Sequence, residues 1–446
     1  MTRMITLDVG RAACGENAGK RTSALVERLS SSGSLLLITA MFVCGTALAA
    51  AFRIPVRNVM EEYSYDVLAI LVIMELFTNL IAETGVMQML AIRIAELAKG
   101  QKRLCLMLFG SLMFLISSCL NNITAVMMVL PVIFVLLKTL EVDRHYVCVF
   151  FAALLALSNA GGAASPIGDF PAIIIMTSGI TTFRYYLTHA FPLFAVTSFA
   201  LTVVWGLQIR REKDDGAIRR LAVANLKSQY KNIEVRYDVL KWLVLVFVGM
   251  FLAWSCVPQE VLPPEIVAIL GYGMAMTLCS VKKLKVKQKM DLESLLTIAS
   301  FLFFATVVSQ TGVLGLLAAF LQENIHEPEL LVIALMLITS AVAGLFSAGP
   351  AAAAMMPVII ELCNGPLRAQ ADWIAVAYAA AICAGSSMFM WSATAGFILS
   401  GKVNGASLTE GGGKPILWGV GQYLKYGLIN YIIQISIALL TMLLLL

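Results

Sequence analysis

Charge is scarce in this chain. Of 446 residues only 13% are Asp, Glu, Lys or Arg, where a soluble domain carries about 25%. That excludes an ordinary water-soluble domain. Histidine is scarcer still, with only His145, His189 and His326. They lack zinc-ligand spacing and form no HExxH, which disfavours intramembrane metalloprotease chemistry. The nine cysteines include no CxxC pair and mostly lie in apolar runs, where Cys acts as a small hydrophobe. Low-complexity segments are absent. The longest polar loop, about 30 residues, is too short to be a soluble sensor or scaffold domain. No clear cleavage site follows the first apolar run, Ser34–Phe52, so it reads as a retained helix.

What the chain has instead is hydrophobicity: 60% of residues are apolar. The runs match bilayer thickness and are continuous rather than alternating. This is the pattern of an all-α polytopic membrane protein, not of a β-barrel. The net charge of +5 is no nucleic-acid signal, because the basic residues collect in loops between apolar runs. Residues 1–33 carry Arg3, Arg11, Lys20, Arg21 and Arg28, and the 210–241 loop is rich in Arg and Lys. Both are read as cytoplasmic. Residues 258–265 have no Lys or Arg, 281–289 hold five lysines, and 322–329 again have none. The alternation predicts outside, inside and outside for these loops. The N-terminus is expected in the cytoplasm and the C-terminus outside, in a membrane of the bacterial inner-membrane type.

Two segments break the apolar pattern. Residues 104–137 contain no charge and carry Asn121 and Asn122 near their middle. One helix of that length would run about 51 Å, too long for a core of about 30 Å. Two full spans would need about 40 residues. A re-entrant hairpin with its polar tip at membrane depth fits best; a kinked helix is the alternative. The second segment is LSNAGGAASPIGDFP, 157–171, with three glycines, two prolines, an Asn and an Asp. It predicts a broken helix, with one half at Tyr146–Ser158 and the next beginning near Ala172. Irregular backbone at that depth must be buried in protein or line a wet cavity.

The second half of the chain repeats the first. LIAETGVMQML (80–90) matches VSQTGVLGLL (308–317), with Thr84 and Thr311 lying 227 positions apart. ITAVMMVLPVI (123–133) matches AAAAMMPVI (351–359), with Pro131 and Pro357 lying 226 apart. The segment 158–169 then falls on 384–395. The loop after the first TG segment is basic and the loop after the second is not, so the copies are inverted. The expected plan is a tail (1–33), a first repeat (34–209), a cytoplasmic loop with a linking helix (210–260) and an inverted second repeat (261–446). About nine full spans and two hairpins result. This is transporter architecture, with half-helix ends meeting near the midplane.

Candidate ion- or substrate-binding residues follow from the breaks and tips: Asn121, Asn122, Thr124, Ser158, Asn159 and Asp169 in the first repeat. The second repeat offers Ser347 at its tip and Ser386, Ser387, Ser392 and Thr394 at its break. Asn ligates a cation through oxygen or an oxyanion through NH₂, so the amides fit either sign of substrate. Asp169 is the only acid in the broken segments. It is either a Na⁺ ligand or proton carrier, or a cap on the turn after Ser165-Pro166-Ile167-Gly168. Glu75 and Glu83 are further proton-carrier candidates, or partners in an interhelical network with Asn79. No cofactor or resident metal is expected; the coupling ion would be Na⁺ or H⁺.

SNAGGAASPIGDFPAII resembles the SNIGGxATxIGDPPNI signature of the arsenite-permease and NhaD-type sodium–proton antiporter group. That group is a citrate-transporter-like set within the ion transporter superfamily. SCLNNITAVMMVLPV resembles its SxxLDNVTAVLLxxPV segment, and the ETG segment and LKYG (424–427) fit too. The resemblance implies inverted repeats, a homodimer and elevator-like alternating access. By position it gives ion-binding roles to Ser117, Asn121, Asn122, Asn159 and Asp169. The departures are informative: the group's antiporters have Asp where this chain has Asn121, and an Asp-Asn pair where it has Ser347-Ala348. The expected function is secondary active ion transport, by cation–proton antiport or by Na⁺- or H⁺-coupled ion transport. An ion-coupled di- or tricarboxylate or arsenite permease is the rival. An intramembrane enzyme is a distant alternative, since no histidine at membrane depth pairs with a Ser or Cys.

Overall fold

The computed structural model describes residues 35–445, apart from 37, 141, 210–215, 232–233, 260, 285, 287–289, 291 and 411–413. The predicted N-terminal tail and part of each basic loop lie outside the described residues. The protein is an all-α polytopic membrane protein. Among the described residues, eight helices are long and apolar enough to cross a membrane, or up to ten if each of two bent pairs counts as one span.

The chain opens with α1 (Ile38–Ala51) and the short α2 (Val56–Glu62). A series follows: α3 (Tyr65–Ala82), α4 (Val86–Leu97), α5 (Lys102–Ser117), α6 (Asn122–Thr139), α7 (Arg144–Ala163), α8 (Phe170–Thr177) and α9 (Phe183–Gln208). Next come α10 (Gly216–Gln229), α11 (Tyr237–Cys256) and α12 (Pro264–Val281). The series then recurs in the same order: α13 (Leu292–Gln310), α14 (Val313–Asn324), α15 (Pro328–Phe346), α16 (Ala348–Asn364), α17 (Ala371–Ser386), α18 (Gly396–Gly405) and α19 (Val420–Leu445).

Local chemistry recurs with the order. Both TG turns are built alike: Thr84 Oγ1 donates to the Ile81 carbonyl and Thr311 Oγ1 to that of Val308, each at 2.6 Å. The following glycines have φ of 77° and 76°. That left-handed conformation costs a side-chain-bearing residue energy and costs glycine none. Pro131 and Pro357 sit inside α6 and α16.

Two helices form the centre. Every residue of α7 from Tyr146 to Ala163 is buried, as is every residue of α17 from Ile374 to Ser386. A helix buried all round belongs to the interior of a bundle. Small residues let neighbouring backbones close in, as in other membrane helix pairs. A Cβ on Gly161 of α7 would strike the Phe114 carbonyl of α5. A Cβ on Gly385 of α17 would strike the Ser340 carbonyl of α15. The same close approach therefore occurs once in each half.

The break after α7 lies further along the chain than the glycines suggested. The helix does not end at Ser158; it runs through Asn159, Gly161 and Gly162 to Ala163. Ser165 and Pro166 then interrupt it, and α8 begins at Phe170 with Pro171 in its first turn. The reason is packing. Gly161 stays helical because its missing side chain admits α5, while Pro166 cannot continue the ladder.

Candidate functional site

The site is assembled from the C-terminal ends of α5, α7 and α17 and the N-terminal ends of α6, α8 and α16. Buried Ser117 closes α5 and places its Oγ 3.1 Å from Ser158 Oγ. The Ser158 hydroxyl donates to Asn122 Oδ1. Asn122, fully buried at the start of α6, donates from Nδ2 to Asn159 Oδ1 at 3.0 Å. Four of the predicted residues thus form one continuous hydrogen-bonded chain. Its polar groups are buried, and pairing them avoids a cost of about 1–3 kcal/mol for each unsatisfied group.

The chain crosses into the second half. Asn159 Nδ2 donates to Ser387 Oγ at 3.3 Å. From the other side, Thr394 Oγ1 donates to Asp169 Oδ2 at 3.4 Å. Asp169 is 7% exposed, and its Oδ1 accepts the Phe170 N–H at 2.9 Å. Asp169 therefore caps α8 and, through its second oxygen, faces the break of the second half.

A small cavity lies against this cluster, lined by Asn159, Asp169, Tyr186, Ala348, Cys383 and Ser386 among others. It has room for about one water-sized body. None of the lining residues is Lys, Arg or His. Three helix N-termini flank the site: α8 starts at Phe170 behind its cap Asp169, α6 at Asn122, and α16 at Ala348, where a Cβ on Gly349 would lie 3.7 Å from Phe170. Each N-terminus is worth about half a positive charge. The C-terminal ends of α7 and α17, at Ala163 and Ser386, line the same space, their carbonyls accepting from Tyr186 and Ser392. Fixed dipoles of both signs thus meet around one carboxylate.

Other predicted residues stand apart from the chain of contacts. Asn121 is the N-cap of α6, its Oδ1 accepting from the N–H groups of Ile123 (3.0 Å) and Thr124 (3.4 Å). Thr124 is half-buried in the first turn of α6. Ser347 is half-buried in the one-residue turn between α15 and α16, beside cavity-lining Ala348. Ser392 is buried and folds the second break by donating to the carbonyls of Phe389 (2.8 Å) and Ser386 (3.0 Å). Glu75 is half-buried on α3 and engaged there, and Glu83 is exposed; neither lines the cavity. Residues the sequence did not single out include Tyr186, whose hydroxyl donates to the Ala163 carbonyl at 2.8 Å, and Cys383. Both look like core residues within apolar runs.

Residues 24–382 match the protein family described as citrate transporter. An uncharacterized transporter of Mycobacterium tuberculosis is 28% identical over 323 residues, covering 71% of this chain and 73% of that one. The 46 kDa membrane protein of Mycobacterium leprae is 24% identical, covering 88% and 91%. The magnetosome protein MamN of Magnetospirillum gryphiswaldense is 26% identical, covering 78% of each chain.

Proposed function

This chain belongs to the citrate transporter family and is a membrane transporter, and on that premise we propose that it is a secondary active carrier of a small carboxylate anion, coupled to Na⁺ or H⁺. Asp169 holds the coupling cation, helped by Asn122, Asn159 and Thr394. The anion is held at the N-termini of α6, α8 and α16. The observation that carries this reading is the meeting of helix ends of both polarities around a single carboxylate. Helix N-termini hold anions without basic side chains, and carbonyl ends hold cations. The two series of helices are read as inverted repeats that alternate access to the site in an elevator-like movement, within a homodimer.

A second reading, cation–proton antiport, is favoured by the lack of any basic side chain in the cavity wall. One experiment addresses both. Proteoliposomes are loaded with a pH-sensitive dye and given labelled citrate or dicarboxylate under an imposed Na⁺ or H⁺ gradient. Carboxylate uptake that needs the gradient supports the first reading. A cation-driven pH change without carboxylate supports the second. Neither response from folded protein would refute both.

A further inference from the structure

The last helix, α19, carries polar residues where lipid or packing alone would ask for none. Tyr423 and Asn430 are fully buried and Gln434 is 3% exposed. Their spacing, 423, 430 and 434, places them on one face of the helix. Each reaches a helix that ends at the site. Asn430 Nδ2 donates to the Ala152 carbonyl of α7 at 3.3 Å, while its Oδ1 accepts the Trp205 indole N–H of α9 at 2.9 Å. The Tyr423 hydroxyl donates to the Ser387 carbonyl at 2.7 Å. The Cys383 thiol of α17, in the cavity wall, donates to Gln434 Oε1 at 3.2 Å.

These contacts close a frame. Ala152 and Asn159 are seven residues apart on α7, as are Tyr423 and Asn430 on α19. Each side is about 10.5 Å, two helical turns. One end of the frame is the Asn430–Ala152 bond. The other runs from Tyr423 to the carbonyl of Ser387, whose hydroxyl accepts from Asn159. The Ser387 carbonyl lies just past the last turn of α17, where helix geometry leaves carbonyls without partners. A tyrosine hydroxyl supplied from outside the helix fixes where that end sits.

We propose that α19 is the strut that sets the separation of the two helix breaks, with Tyr423 and Asn430 as positioning residues for the Asn159–Ser387 contact. Only the transport arm of the test below rests on the carrier reading. In the full-length protein, Tyr423→Phe and Asn430→Leu are compared with wild type by mass-spectrometric alkylation of Cys383. Buried Cys279, on α12, serves as the internal control. Loss of one hydrogen bond in Tyr423→Phe, or of two in Asn430→Leu, is expected to raise Cys383 alkylation at least about threefold to tenfold, with Cys279 unchanged. Where wild type transports, KM for substrate rises by a similar factor while the maximal rate changes less. Unchanged Cys383 labelling overturns the proposal. A parallel rise at Cys279 also overturns it, because the residues would then serve general stability. So does raised Cys383 labelling with an unchanged KM. If wild-type protein carries nothing, the carrier reading fails while the alkylation result still decides the strut.

Discussion

Asp169 performs two tasks that a single substitution separates. Its Oδ1 caps α8 through the Phe170 N–H at 2.9 Å, and its Oδ2 accepts from Thr394 at 3.4 Å across the two halves. Asparagine is as good an N-cap as aspartate and keeps an oxygen for Phe170. It also removes a carboxylate whose burial is costly. Asp169→Asn is therefore expected to unfold at or above the wild-type temperature, within about 0.5 kcal/mol of its stability. Alanine loses the cap, about 1 kcal/mol, and leaves the Thr394 hydroxyl short of an acceptor. A charged group contributes about 1.5–3 kcal/mol to a hydrogen-bonded or ionic contact. Neutralising it should raise the cation concentration for half-maximal uptake at least about tenfold. The assay is thermal unfolding of purified protein, followed by tryptophan fluorescence, beside cation-dependent uptake in proteoliposomes. Asp169→Asn should be stable and uncoupled, Asp169→Ala unstable and uncoupled. An Asn variant with wild-type cation dependence would reduce Asp169 to a helix cap and remove it from the transport cycle. An Asn variant as unstable as the Ala variant would refute the capping argument.

Gly161→Ala and Gly385→Ala should each lower stability by about 1–3 kcal/mol, because each new Cβ meets a backbone carbonyl that cannot step aside; thermal unfolding and folded yield measure both. Ser347 has φ 101°, so Ser347→Gly should be neutral or stabilise by about 1 kcal/mol and Ser347→Val should destabilise. Because the Ser347 side chain stands apart from the hydrogen-bonded cluster, uptake by the Gly variant should match wild type. Cysteines introduced at Lys283 and His326 should react with an impermeant thiol reagent from opposite sides of the membrane, and reaction from the same side would sink the inverted-repeat reading.

Where the sequence spoke plainly, it did so through polar groups that the bilayer makes expensive. Asn122, Ser158, Asn159 and Asp169 stood out because an apolar run has no cheap use for them; the structure hydrogen-bonds the first three together and places Asp169 beside Asn159 in the cavity wall. The recurrence of the TG turns was legible for the same kind of reason, since only glycine suits their φ. The walls of the cavity were not legible. Tyr186, Ala348 and Cys383 belong to segments that are apolar throughout, and a helix buried on every side has no polar face to reveal its orientation. The glycines at 161 and 162 misled on the position of the break. Glycine weakens a helix through lost entropy and through exposed backbone, but at Gly161 the neighbouring α5 covers the backbone that water would otherwise reach.

The second half shows how a site is shared unequally. It offers no acid and no amide at its break, yet it closes two contacts that the first half cannot make alone: Ser387 to Asn159, and Thr394 to Asp169. Hydroxyls suffice there because each needs to supply only one donor or acceptor to a partner already placed. The placing is done elsewhere, by close backbone packing at Gly385 and by Tyr423 on the Ser387 carbonyl. A weakly polar half of the chain can thus hold half of a polar cluster, provided its backbone is held rigidly. That is why substitutions at Gly385 and Tyr423, neither of which lines the cavity, are expected to register at the cluster.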